Sequence, residues 1–161
     1  MSGKKIKTLK ELKKIADTLH RQGKKIVFTN GCFDILHWGH AMYLEKAKAK
    51  GDKLIVALNS DASIRRIKGN SRPIVKMHDR AKMIAALESV DYVTVFGEDT
   101  PLETIKTLKP DMLVKGSDWK KNNIVGSDIL SSYAGKVLTI KKAKGYSTTN
   151  LINQIVKVSK K

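Results

Sequence analysis

Two histidines three residues apart, His37 and His40, flank Trp38 and Gly39 in the stretch NGCFDILHWGH (residues 30–40), directly after the apolar run KIVFT. Side chains three apart near a helix start can point the same way. There they meet free backbone N–H groups and the positive end of the helix dipole, which together favour an anion. A donor or protonated imidazole so placed stabilises charge that builds on phosphate oxygens during an in-line displacement. One histidine alone would be an ordinary buried side chain or a helix cap. The pair, following a turn at Asn30-Gly31 whose backbone can approach a ligand closely, is read as phosphate chemistry, with His37 and His40 as catalytic candidates.

Three other stretches carry residues suited to the same chemistry. In GYSTTN (145–150), Ser147 can cap a final helix, and Ser147, Thr148 and Thr149 would form a second anion cradle. The segment RRIKGNSRPIVKMHDR (65–80) places Lys68, Arg72, Lys76 and Arg80 around breaks at Gly69 and Pro73. It reads either as a basic lid closing over a triphosphate or as a solvated basic loop. VKGSDW (114–119) ends a strand at Lys115-Gly116, where backbone groups could read a base edge, and Asp118 either contacts substrate or only turns the loop. No Walker-type phosphate loop occurs. The single cysteine, Cys32, excludes an internal disulfide and a multi-cysteine zinc site, and without an activating partner it is read as a packed side chain. No metal-ligand set stands out.

The elements that must position these residues follow from periodicity and capping. A helix is expected over 8–22, with Thr8 and Glu11 as a capping box and Gly23 as its stop. Short apolar runs at 25–29, 53–59, 92–96, 111–115 and 136–140 read as five strands. Helices are expected from about Gly39 to Gly51, from an Asp61 N-cap, over 79–89, from a Thr100 N-cap with Pro101 first and Glu103 completing a box, over 127–134, and from Ser147 onward. Continuously apolar strands alternating with helices define an α/β fold: a single doubly wound, Rossmann-like domain with a five-stranded parallel sheet. In such sheets ligands bind beyond the carboxyl ends of the strands, where the strand order switches. Every unusual stretch above follows a strand end.

With 161 residues, 41% hydrophobic and 29% charged, the chain fits one soluble globular domain spanning 1–161, with an N-terminal helix and a core of about 25–158. No apolar stretch approaches bilayer length, and the first residues lack a secretory apolar segment, so the expected address is the cytoplasm. The net charge of +17 points to a polyanionic partner. Only five of the 32 basic residues are arginine, the residue best suited to bidentate base and phosphate contacts. The balance favours a lysine-rich surface and a small polyanionic substrate over nucleic acid.

The H-x-G-H motif after the first strand, with S-T-T at the last helix, resembles the HIGH-type nucleotidyltransferase superfamily, whose members are cytidylyltransferase-like. The likeness runs from about Lys25 to Val156. Within it, FTNGCFDILHWGH, VALNSD, IKGNSRPI, TPLETIKTLKPDMLVKGSDW and GYSTT are most similar to the bacterial heptose 1-phosphate adenylyltransferases. That resemblance implies transfer of AMP from ATP to D-glycero-D-manno-heptose 1-phosphate with Mg²⁺, releasing pyrophosphate on the route to ADP-heptose and lipopolysaccharide or other surface glycans. It implies phosphate contacts from His37 and His40, nucleotide contacts from Thr29, Asn30, Gly31, Cys32 and Phe33, and a homodimer. It also implies a separate kinase upstream, since this chain is too short to include one. An arginine that related cytidylyltransferases carry before G-x-S-T-T is absent; Lys142 and Lys144 stand near its place. Two other readings stay open: a cytidylyltransferase for a small polyol phosphate, and a basic nucleic-acid-binding α/β module.

Overall fold

The computed structural model describes residues 2–117, 124–141, 143 and 145–160, and in it each of the five apolar runs is a strand: β1 (Ile26–Gly31), β2 (Lys53–Asn59), β3 (Tyr92–Phe96), β4 (Met112–Gly116) and β5 (Lys136–Ile140). Side chains alternate between the faces of a strand, and both faces here are apolar. Val27, Leu54, Val56 and Leu58 pack on one side with Leu44, Ala81 and Ile84, whereas Ile26, Phe28, Ile55 and Ala57 pack on the other with Leu12, Ile105 and Leu130. After a 3-10 turn at Ser2–Lys5, the α-helices of the described residues are α1 (Leu9–Arg21), α2 (Trp38–Lys48), α3 (Asp61–Lys68), α4 (Met77–Ala86), α5 (Leu102–Leu108), α6 (Ser127–Ser132) and α7 (Thr148–Ser159).

All neighbouring strands are parallel, in the order β3-β2-β1-β4-β5. The chain therefore steps outward from β1 to β3, then returns to lay β4 on the other side of β1. The carboxyl ends of β1 and β4 border the switch point, where ligands bind in sheets of this kind. An unforeseen pairing covers part of β3: Ile6 bridges to Val93, and Lys7 N–H donates to the Val93 carbonyl at 2.8 Å.

Several boundaries differ from the sequence expectation. The Asn30-Gly31 pair is no turn; it continues β1, because β2 is long enough to offer Ala57 and Leu58 as ladder partners. The chain turns only afterwards, at Phe33. The second helix begins at Trp38, about one residue before Gly39, with His37 in the N-cap position. Ser60, not Asp61, caps α3, its hydroxyl accepting from Ser63 N–H at 3.1 Å. Helix α4 runs two or three residues earlier than expected, since Leu87 takes an extended backbone. Pro101 is itself the N-cap of α5, and Glu103 pairs with Lys106 rather than closing a capping box. Helix α6 stops before Tyr133, with Ala134 left-handed at φ 62°. The capping box at Thr8–Glu11 and the cap at Ser147 form as read.

Candidate active site

At the end of β1 the chain passes through Cys32, Phe33 and Asp34 and delivers His37 to the first helical turn of α2, with His40 one turn along. The two imidazoles stack, their centroids 3.8 Å apart and their planes 14° from parallel. Both His37 ring nitrogens are buried without a hydrogen-bond partner in the protein. Leaving such groups unmatched costs about 1–3 kcal/mol each, a cost that fits a ligand site rather than a structural core. Burial holds the His37 pKa below its ordinary value, and its own backbone offsets this only in part. A doubly charged stack would repel itself, which together with burial favours the neutral form of His37.

Two glycines allow this arrangement. Phe33 adopts a left-handed backbone at φ 45°, and its ring folds back over Gly31, where an added Cβ would lie 2.9 Å from the ring. The same ring approaches His40 at 5.1 Å. At Gly39 an added Cβ would meet Tyr146 Cβ at 2.8 Å and the His37 ring at 3.1 Å. The segment leading into α7 is thereby packed on the histidine turn, with the Tyr146 ring 6.2 Å from that of His37. Ser147 caps α7 by accepting from Asn150 N–H at 3.0 Å; Thr148 is half-buried in its first turn and Thr149 is exposed. The two stretches singled out from sequence, 30–40 and 145–150, thus meet in space.

The remaining candidates divide. Lys115 Nζ donates to the Asn30 carbonyl at 3.3 Å, bridging the ends of β4 and β1 across the switch point, and Gly116 follows it. Asn30 Oδ1 is buried without a partner in the protein. Thr29 is buried, its hydroxyl bonded to Tyr43 at 2.8 Å, and Tyr43 donates onward to the Val114 carbonyl at 3.0 Å. Its side chain therefore ties β1 to α2 and β4. Burial pushes the Cys32 thiol up, and Sγ leans on Asn59 Oδ1 at 3.9 Å, so this cysteine is packed rather than activated. Asp118, with Lys142 and Lys144, lies outside the described residues.

The basic segment is bonded to the site's floor at two places, Asp34 and Arg80. Asp34, which the sequence reading passed over, is 2% exposed and accepts from Ile74 N–H at 3.0 Å and Val75 N–H at 2.8 Å, while Arg72 Nε pairs with it at 2.6 Å. Arg80 is not at the open face. Its side chain is fully buried and donates to the carbonyls of Cys32, Asn59 and Val75 and to Asp61. Lys68, at the last turn of α3, and Lys76, before α4, remain exposed. The signal for Asp34 was present: a carboxylate between Phe33 and Ile35 must be paired if the run is buried. Its partners, two backbone amides some 40 residues on, carry no sequence mark.

A parallel sheet with an imidazole pair and a hydroxyl-capped helix at its switch point defines a Rossmann-like domain built to handle a nucleotide. Within that class, the profile of the cytidylyltransferase-like family matches residues 28–154, and the chain belongs to this family; it is a nucleotidyltransferase. It is 53% identical over 152 residues to the bifunctional protein HldE of Syntrophotalea carbinolica, covering 94% of this chain and 31% of that protein. With HldE of Helicobacter pylori (strain J99) it shares 56% identity over 144 residues, 89% of this chain and 30% of the relative. The chain thus spans about a third of the length of these curated relatives. A crystal structure of the lipopolysaccharide core biosynthesis protein from Thermoplasma volcanium GSS1 superposes with a TM-score of 0.67 at 31% identity, over 76% of this chain and 100% of that one.

Proposed function

We propose that this nucleotidyltransferase moves AMP from ATP to D-glycero-D-manno-heptose 1-phosphate, giving ADP-heptose and pyrophosphate. A phosphate oxygen of the sugar attacks the α-phosphorus of ATP in line, and the bond from that phosphorus to the bridging oxygen of pyrophosphate breaks. No covalent enzyme intermediate is needed. The observation that carries the reading is the stacked His37–His40 pair, with both His37 nitrogens unmatched in a buried setting beside the N-terminus of α7. As charge gathers on the phosphate oxygens, these imidazoles donate to it, and the free amides at Thr148 and Thr149 receive the rest of the anion. The backbone from Asn30 to Phe33, with Lys115 and Gly116, lines the nucleoside side. Lys68 and Lys76 supply exposed positive charge at the rim, while Arg72 and Arg80 act from behind the surface.

The sugar assignment draws on the sequence resemblance and on the likeness to a lipopolysaccharide core biosynthesis protein and to HldE proteins. Among the described residues no cluster of three or more His, Cys, Asp or Glu side chains could hold a metal ion. Mg²⁺ enters in this proposal with ATP, bound chiefly by phosphate oxygens and water, which asks little of the protein. When bound it neutralises triphosphate charge. A kinase-class reaction would supply the sugar 1-phosphate. No described helix is long and apolar enough to cross a membrane; an ATP-consuming reaction places the proposed activity in the cytoplasm. A homodimer is proposed from the resemblance alone. The test of the reaction is pyrophosphate release on mixing the protein with ATP, Mg²⁺ and heptose 1-phosphate, with glycerol 3-phosphate and CTP as alternative substrates.

A further inference from the structure

Among the described residues, the largest fully buried side chain is a charged one, Arg80. Its Nη1 donates to the Cys32 carbonyl at 2.6 Å, Nη2 to the Asn59 carbonyl at 2.9 Å and to Asp61 Oδ1 at 2.8 Å, and Nε to the Val75 carbonyl at 3.0 Å. Four of the five guanidinium N–H groups are thereby used within the protein, and the side chain has no solvent exposure. Direct contact with a phosphate is closed to it. We propose that Arg80 is a positioning residue for the imidazole pair, acting through the Cys32 carbonyl and the Phe33 ring. The proposal rests on the reading of His37 and His40 as the catalytic pair.

The contacts form one continuous path. The peptide whose carbonyl belongs to Cys32 has its nitrogen in Phe33, so the bond from Arg80 fixes the plane from which Phe33 departs. Phe33 then takes φ 45°, a region that a bulky side chain occupies only when its surroundings enforce it. That backbone turns the ring over Gly31 and against His40 at 5.1 Å, and His40 stacks on His37 at 3.8 Å. The other donors brace the same corner. Asn59 ends β2, Asp61 opens α3, and Val75 is held on both sides, its carbonyl by Arg80 and its amide by Asp34. Asp61 supplies the counter-charge without which a buried guanidinium would be costly. A lysine could match the charge, but a point-like ammonium cannot reach carbonyls lying in three directions; the planar fork can.

Arg80→Lys is therefore the informative change. It should unfold cooperatively, yet show kcat for pyrophosphate release lower by about tenfold to a hundredfold, as expected when reacting groups are misplaced by a fraction of an ångström. KM for ATP should stay within about threefold, since the ground-state contacts are untouched. Independently of activity, the ring resonances and titration midpoints of His37 and His40, assigned with His37→Ala and His40→Ala, should move. A folded Arg80→Lys protein with wild-type kcat and unmoved histidine resonances overturns the proposal. If that variant does not fold, Phe33→Gly decides, because it leaves every Arg80 bond available while freeing the left-handed backbone. The same loss of kcat and the same resonance shifts support the path; wild-type values of both overturn it. Full activity in His37→Ala and His40→Ala would instead sink the catalytic reading, and the resonances would still report whether Arg80 orders the rings.

Discussion

His37 and His40 are stacked face to face, with both His37 ring nitrogens and His40 Nδ1 held out of water. If they donate to charge that exists only in the transition state, His40→Ala should lower kcat by about a hundredfold or more. Its affinity for ATP, measured by calorimetry, should change far less. The depressed pKa of His37 adds a pH effect on stability. In the folded protein burial disfavours its protonation, whereas the unfolded chain takes the proton near pH 6.5. Above that pH neither state is protonated and the effect vanishes; as pH falls below it, the unfolded state gains. Wild-type protein should therefore lose more thermal stability between pH 7.5 and pH 5.5 than His37→Gln does. Cys32 is tied in through its carbonyl, not its thiol, so Cys32→Ala should keep kcat within about threefold, less than ~1 kcal/mol of barrier. The histidines were legible because their spacing alone implies convergence. Arg80 was legible only as a basic residue, since burial and four partners from distant segments are properties of the folded chain.

Helix α2 and the segment before α7 meet at Gly39, where no side chain fits. Gly39→Ala would drive a Cβ to 2.8 Å from Tyr146 Cβ, which cannot retreat without its backbone. We expect a folded protein with kcat reduced at least about tenfold, because the histidine turn and the start of α7 no longer close on one another. Circular dichroism with pyrophosphate release separates that outcome from simple unfolding. At the amino end of the sheet, Asp91 accepts from Leu54 N–H at 2.8 Å, Lys48 at 2.7 Å and Lys53 at 2.9 Å. Burial pushes its carboxyl up, but these bonds together hold it below its ordinary value. Asp91→Ala should cost about 1–3 kcal/mol in denaturant unfolding near pH 7, the range for bonds to a charged group. That stabilisation is complete above the unfolded carboxylate value of about 4 and disappears as pH falls through the lower folded one. The alternation of apolar strands and helices was readable because a sheet buried on both faces leaves no polar positions in its strands. Asn30-Gly31 misled because its turn propensity lost to ladder partners supplied by β2. The anchoring of the basic segment was not readable, because Asp34 lies 40 residues before Ile74 and meets it through backbone amides.

At the scale of the molecule, a five-stranded sheet with the order reversed beside β1 gathers the elements that carry unusual residues to one edge. Topology of this kind follows from strand count and crossover rules, and so the doubly wound fold was legible in the sequence. The net charge of +17 was legible too, but not how it is distributed over the folded surface. Helix α7 has no buried residue, and Ile155, Val156 and Val158 along it are exposed. Its capped first turn, beside Tyr146 and His37, is what joins it to the site. In the proposed reaction this site joins an adenylyl group to a sugar phosphate using an imidazole pair. Pyrophosphate release, followed with ATP or CTP against heptose 1-phosphate or glycerol 3-phosphate, tests it most directly. ATP with heptose 1-phosphate should exceed CTP with the same acceptor by at least about tenfold in kcat/KM, roughly 1.4 kcal/mol, and His40→Ala should abolish most of that turnover. Equal or faster turnover of CTP with glycerol 3-phosphate, or full activity in His40→Ala, would contradict it.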